Sequence, residues 1–142
     1  MDEQARLLLD QSPDAVIFAG TDGSVTYWNG AAERIFGYTA GEMASKGLDA
    51  IIPEQFREAH WKGYDRALAD GDTKYRGQAL ATRALRADGE TIYVELSFAI
   101  VKDEAGAVIG AMACARDITE RFNRDRETRR RLRELEAKEG AS

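Results

Sequence analysis

Ala5, Leu7, Leu8 and Leu9 lie among strong helix formers between Glu3 and Asp10. The pattern predicts a short helix with one apolar side, stopped by Ser12-Pro13. Ala15-Val16-Ile17-Phe18-Ala19 reads as a buried strand. Thr21-Asp22-Gly23 turns the chain into a second strand, Val25-Thr26-Tyr27-Trp28. Asn29 is placed to cap a helix from Ala31 to Phe36 that Gly37 ends. Thr39 and Glu42 have capping-box spacing and start a helical turn toward Lys46. Leu48 to Ile52 forms another turn, closed by Pro53. From Glu54 to Asp70 the pattern is helical, with Phe56, His60, Tyr64 and Ala67 on one face and Gly71 as the stop.

The second half of the chain is built of strands. Lys74 to Arg86 is extended, and Ala87-Asp88-Gly89-Glu90 is a turn. Thr91 to Val101 then alternates, with Ile92, Val94, Leu96, Phe98 and Ile100 on one face and Tyr93, Glu95 and Ser97 on the other. Asp103-Glu104-Ala105-Gly106 turns the chain into Val108 to Ala115. From Thr119 to Glu139 the pattern is again helical, highly charged, with a thin apolar stripe of Phe122, Leu132 and Leu135. A helix that polar needs a partner helix. Strands joined by hairpins predict an antiparallel sheet with one face covered by the central helices, hence an α+β fold.

Composition narrows the classes of function. The chain has 142 residues, 44% hydrophobic and 32% charged, the size and make-up of one globular domain. No apolar run approaches the roughly 20 residues that cross a bilayer, and no basic-then-apolar leader opens the chain, so it reads as cytoplasmic without a membrane partner. The net charge is -5 overall; the segment from Thr119 onward carries +2 and the residues before it -7. An acidic body argues against nucleic acid as a partner, because such binding rests on neutralising phosphates. Arg129-Arg130-Arg131-Leu132-Arg133, interleaved with acidic residues, reads as a solvated helix face.

One cysteine, Cys114, excludes an internal disulfide framework, and one histidine, His60, excludes metal sites needing several imidazoles. No paired-carboxylate, Ser–His–Asp or phosphate-loop pattern is present, so the chain does not read as an enzyme. His60 shares its helix face with Phe56 and Tyr64 and is expected to point toward the sheet. A lone inward imidazole can supply one axial bond to a haem iron. It can equally be a core histidine bonded to a carbonyl. Cys114, in Met112-Ala113-Cys114-Ala115, reads as a buried inert thiol. Trp28 and Tyr27 can wall a flavin ring or simply belong to the core. Arg57, Lys62 and Arg66 can hold a carboxylate or form a solvated helix face.

The order of elements, Asn29 after the second strand, the Asp88-Gly89 hairpin and Arg116-Asp117-Ile118-Thr119-Glu120-Arg121 together resemble a PAS domain, from about Gln11 to the tail. The last of these segments resembles the family's exit signature, where the final strand hands over to a signalling coiled coil. The resemblance implies a sensory module: a five-stranded antiparallel sheet with flanking helices around a pocket, then a long C-terminal coiled-coil helix. The implied division is an N-terminal cap helix over 1–12, the sensor domain over 13–118 and a signalling and dimerisation helix over 119–142.

Pro53-Glu54-Gln55-Phe56-Arg57-Glu58-Ala59-His60 resembles the segment that carries the proximal haem histidine in FixL-type oxygen-sensing PAS domains and the related direct oxygen sensor. On that resemblance His60 is the iron ligand, with Tyr64 beside it. Arg66 falls where an arginine lies near a haem propionate, Leu96 and Phe98 fall at apolar distal positions, and Gly77 also matches. Leu80 stands where the FixL-type domains have a distal arginine. Gln78 stands where the direct oxygen sensor has a distal methionine, and its amide can still donate to a bound gas.

The implied function is haem-based sensing of a diatomic gas or redox state, passed through the C-terminal helix. The implied partners are a second copy, through both terminal helices, and an effector such as a histidine kinase or diguanylate cyclase. In that scheme strand Val108–Ala115 carries the shift, with Arg116 and Asp117 as polar anchors. Two alternatives stay open: a PAS domain for another small molecule, and a ligand-free dimerisation module whose pocket is filled by Phe18, Tyr75 and Phe98.

Overall fold

The computed structural model describes residues 2–73 and 79–141. Helix α1 (Glu3–Asp10) is followed by strands β1 (Ala15–Gly20) and β2 (Val25–Trp28), then helices α2 (Gly30–Phe36) and α3 (Ala40–Lys46). A 3-10 turn (Leu48–Ile51) leads into α4 (Glu54–Asp70). Strands β3 (Leu80–Leu85), β4 (Thr91–Lys102) and β5 (Val108–Asp117) follow, then helix α5 (Thr119–Ala141). The punctuation read from the sequence is the punctuation observed. Asn29 caps α2 by accepting from the Ala32 amide, Thr39 and Glu42 form a reciprocal capping box, and Gly37 and Gly71 close their helices in the left-handed conformation. The expected extended segment from Lys74 is described only from Ala79 on, so Tyr75, Gly77 and Gln78 lie outside the described residues.

All four strand pairings are antiparallel, and the sheet order is β2-β1-β5-β4-β3. This is the α+β architecture the resemblance implies. Closure of β1 onto β5 is the non-local step, since residues 90 to 100 positions apart pair, from Gly20 with Gly110 to Ala15 with Ala115. It requires Gly110: a Cβ there would lie 2.2 Å from the Ala19 carbonyl oxygen and 2.7 Å from Phe18 Cζ.

Register assigns the faces. Ile17, Ala113 and Phe98 stand in one row across β1, β5 and β4, and Ala15, Ala115, Leu96 and Leu80 stand in the next row of that face. Ala15, Ile17, Val25, Trp28, Ile92, Val94 and Ala115 are buried there against Ala32, Phe36, Met43 and Ile51 from the helical segments. Phe18, Met112 and Ala99 form a row on the opposite face, as do Val16, Cys114 and Ser97. The grouping of Phe18 with Phe98 as fillers of one pocket is therefore corrected. Residues of odd separation across this register project to opposite sides of the sheet.

Candidate functional site

Helix α4 carries His60, and its sequence explains how the helix is seated. Arg57, Trp61 and Tyr64 recur at helical spacing and all reach back to earlier parts of the chain. Arg57 Nε donates to the Ile52 carbonyl (3.0 Å), Trp61 Nε1 donates to Asp49 Oδ1 (2.8 Å), and the Tyr64 hydroxyl meets the Ala19 and Gly20 carbonyls. At its start the helix meets β3, where the Arg83 guanidinium lies 5.4 Å from the Phe56 ring centroid. No residue of α4 is fully buried; Phe56, His60, Tyr64 and Ala67, the face expected to point inward, are half-buried.

His60 is the chemical anomaly of this helix. Its Nδ1 is buried and has no hydrogen-bond partner. An unpaired buried ring nitrogen costs free energy, on the order of 1–3 kcal/mol, unless a ligand engages it. Burial pushes the imidazole pKa below its ordinary value, against a smaller opposing pull from the Asp49 carboxylate. The shift favours the neutral ring, the form in which histidine binds metals. Among the described residues no three His, Cys, Asp or Glu side chains converge as a metal centre. A lone imidazole would supply a single bond to a metal held by other donors, which is the contact a haem iron would take from this chain.

The other expected site residues are distributed as follows. Leu80 and Leu96 are directly opposite one another on β3 and β4, and Phe98 is two residues along on the same face; all three are half-buried. Tyr64 stands one turn from His60, its ring loosely parallel at 6.0 Å. Arg66 is exposed. Gln78 lies outside the described residues. Two surface clefts are formed elsewhere. One of about 140 Å³ is lined by Asp14, Glu95, Ser97, Cys114 and Arg116, on the side of the sheet away from Phe98. The other, of about 260 Å³, lies among Asp22, Ser24, Lys46, Asp49 and Trp61. Neither cleft is lined by His60, Leu80, Leu96 or Phe98. Cys114 is half-buried rather than buried, and its thiol pKa is raised by burial and then by Asp14, which disfavours the nucleophilic thiolate.

The contacts of Trp61 and Asp49 escaped the sequence reading. Trp61 breaks the apolar spacing of α4, which was the available signal, but its partner Asp49 sits in the preceding turn.

At the C-terminal junction Asp117 Oδ1 accepts from both the amide and the hydroxyl of Thr119, whose hydroxyl also accepts from the Tyr93 amide (3.0 Å). The Ile118 amide donates to the Tyr93 carbonyl, and the Phe122 ring stacks on Tyr93 with centroids 3.7 Å apart. Arg116 forms a bidentate pair with Asp14 (3.1 and 3.2 Å), and Arg121 pairs with Glu95. Arg116 and Asp117 are thus polar anchors, as expected, and α5 is moored to β4 as much as it continues β5.

The family model described as PAS fold matches residues 9–123. The chain is similar to sensor protein FixL of Bradyrhizobium diazoefficiens, 29% identical over 93% of this chain and 25% of that protein. It is also similar to oxygen sensor protein DosP of Escherichia coli K12, 25% identical over 85% of this chain and 15% of that protein. It thus spans no more than a quarter of the length of these relatives. A solved PAS domain from Colwellia psychrerythraea superposes with a TM-score of 0.71 at 21% identity, covering 83% of this chain and 97% of that one, a likeness of fold. With the sheet order, the Asn29 cap, the Asp117–Thr119 junction and this match over most of its length, the chain belongs to the PAS-fold family and is a sensory domain of the kind found in signalling proteins.

Proposed function

We propose that this domain takes haem through His60 and reports a diatomic gas or a change of redox state through α5. The observation that carries the reading is the buried, unpartnered Nδ1 of the His60 imidazole on a helix with no fully buried residue. Similarity to an oxygen sensor and to a sensor protein supports it. Haem, when bound, supplies an iron that takes up a gas molecule or changes oxidation state. Leu80, Leu96 and Phe98 offer an apolar wall, Arg66 a cation for a propionate, and Tyr64 flanks the ligand imidazole. Gln78 is the candidate donor to a bound gas.

Strand β4 connects the wall to the output. Leu96 and Phe98 face the helical side, while Tyr93 and Glu95, alternating with them, moor α5 on the other. A shift of β4 therefore reaches α5 directly, alongside the continuous path through β5 into Arg116 and Asp117. Such coupling requires that the bound state favour one of two arrangements of α5. The division follows: a cap over 1–12, the sensor over 13–118 and the signalling helix over 119–142. The partners are a second copy, packed through α1 and α5, and an effector such as a histidine kinase or diguanylate cyclase. In this reading the domain is regulatory rather than catalytic, with neither nucleic acid nor a membrane among its partners. No described helix is long and apolar enough to cross a bilayer.

Absorption spectra before and after hemin addition test this reading. Wild type is expected to show a sharp Soret band that moves on reduction and again with carbon monoxide, and His60→Ala to lose it. A featureless wild-type spectrum that hemin merely broadens, or a His60→Ala variant with the wild-type spectrum, overturns it. A metabolite sensor or a ligand-free dimerisation module would then remain.

A further inference from the structure

His60, Trp61 and Tyr64 form a closed cluster of rings. The His60 and Trp61 centroids are 4.7 Å apart with planes at 79°, those of Trp61 and Tyr64 are 5.3 Å apart at 76°, and the Tyr64 ring faces His60 at 30°. Such an edge-and-face arrangement gives the imidazole two walls of defined orientation. Both walls are fixed from outside α4. Trp61 is held by its bond to Asp49, and its ring covers Gly23, where a Cβ would come within 2.8 Å of it. The Asp22-Gly23 turn thus leaves room that no other residue would leave. Tyr64 is held through its hydroxyl at the Ala19 and Gly20 carbonyls, at the end of β1. An isolated helix would leave its histidine among several rotamers. Here three separate segments restrict the ring.

We propose that Trp61 and Tyr64 are positioning residues that set the plane of the His60 imidazole, with Asp49 and the bare Cα of Gly23 holding the Trp61 wall. The inference rests on the reading of His60 as a ligand. Groups that orient a ligand imidazole contribute to affinity by removing the cost of ordering it.

The chain has a single histidine, so 15N-histidine labelling shows one imidazole and nothing else. The test uses the full chain without ligand and compares wild type with Asp49→Ala, Asp49→Asn and Tyr64→Phe. Both Asp49 changes remove the same charge, and only Asn retains an acceptor for the Trp61 N–H. Asp49 is exposed, so neither change opens the core. The wild-type ring protons are expected to carry ring-current shifts from Trp61 and Tyr64. Asp49→Ala and Tyr64→Phe should move those resonances toward free histidine, and Asp49→Asn should restore them. Titration of the same proteins with hemin should show affinity reduced about tenfold or more for the first two and preserved for Asp49→Asn. Folded Asp49→Ala and Tyr64→Phe proteins with wild-type imidazole resonances would sink the clamp. So would shifted resonances with wild-type hemin affinity. If the resonances move as expected but wild type binds no hemin, the ring-orienting role stands and the cofactor reading falls.

Discussion

At Asn29 one buried side chain closes four hydrogen bonds. Its Oδ1 accepts from the Val16 amide (2.9 Å) and the Ala32 amide (3.0 Å), and its Nδ2 donates to the Leu9 carbonyl (2.9 Å) and the Asp14 carbonyl (3.1 Å). At 3% exposure it is the buried polar residue of the described core. It ties α1, β1 and α2 together, and every donor and acceptor of its amide is used. Asn29→Ala leaves several of these backbone groups unpaired in the interior. The expected loss is about 2–4 kcal/mol, read as a lower urea midpoint at unchanged slope. A loss below about 1 kcal/mol would mean that water replaces the amide. The cap to Ala32 was legible in the sequence, since it spans three residues. The bonds to Leu9, Asp14 and Val16 were not, because they span 13 to 20 residues and depend on how the strands pair.

Among the elements, α5 shows how a polar helix is held to the sheet by its first turn. Phe122 is half-buried in a layered stack, with Tyr93 on one side and the Arg126 guanidinium 5.8 Å from its ring centroid on the other. Ile118, just before the helix, is buried. Farther along, Arg130 and Arg131 pair with Glu127, and Arg130 also with Glu134, all exposed pairs contributing little each. Phe122→Ala is expected to cost about 1–2 kcal/mol from the lost ring contact and apolar burial. Amide exchange of the first turn, at Ile118 and residue 122, should accelerate while the β1–β5 ladder keeps its protection. Uniform acceleration of both would show that α5 docking is part of the global unfolding unit. The sequence predicted α5 as a helix with a thin apolar stripe. It could not show that Phe122 belongs to the sheet and Leu132 and Leu135 to solvent.

Over the whole molecule, exposed apolar side chains concentrate on the two terminal helices. Leu7 and Leu8 on α1 are 48% and 67% exposed, and Leu132 and Leu135 on α5 are 53% and 57% exposed. No residue of α1 is buried. Much of this apolar surface stays in contact with water in a single chain, which fits its covering by a second copy in the proposed dimer. Leu132→Asp combined with Leu135→Asp is expected to shift sedimentation from dimer toward monomer while leaving the circular dichroism of the sheet intact. A monomeric wild type would remove α5 from the assembly.

What the sequence determined by itself is what neighbouring residues decide among themselves. The α4 bounds, the Thr39–Glu42 capping box, the glycine stops and the alternation of β4 all depend on contacts within about four residues, and on the 3.6- and 2-residue periods. Residue order also carried the family, because the sequence of caps, turns and the Asp117–Thr119 junction is itself a pattern. The tertiary structure alone decided what depends on distant segments meeting. It placed β5 between β1 and β4, set Phe18 on the face opposite Phe98, paired Arg116 with Asp14 and closed Trp61 over Gly23. It also left His60 Nδ1 buried without a partner. Such contacts form only once closure of long loops is offset by burial of a shared core, and no local period encodes which segments will meet.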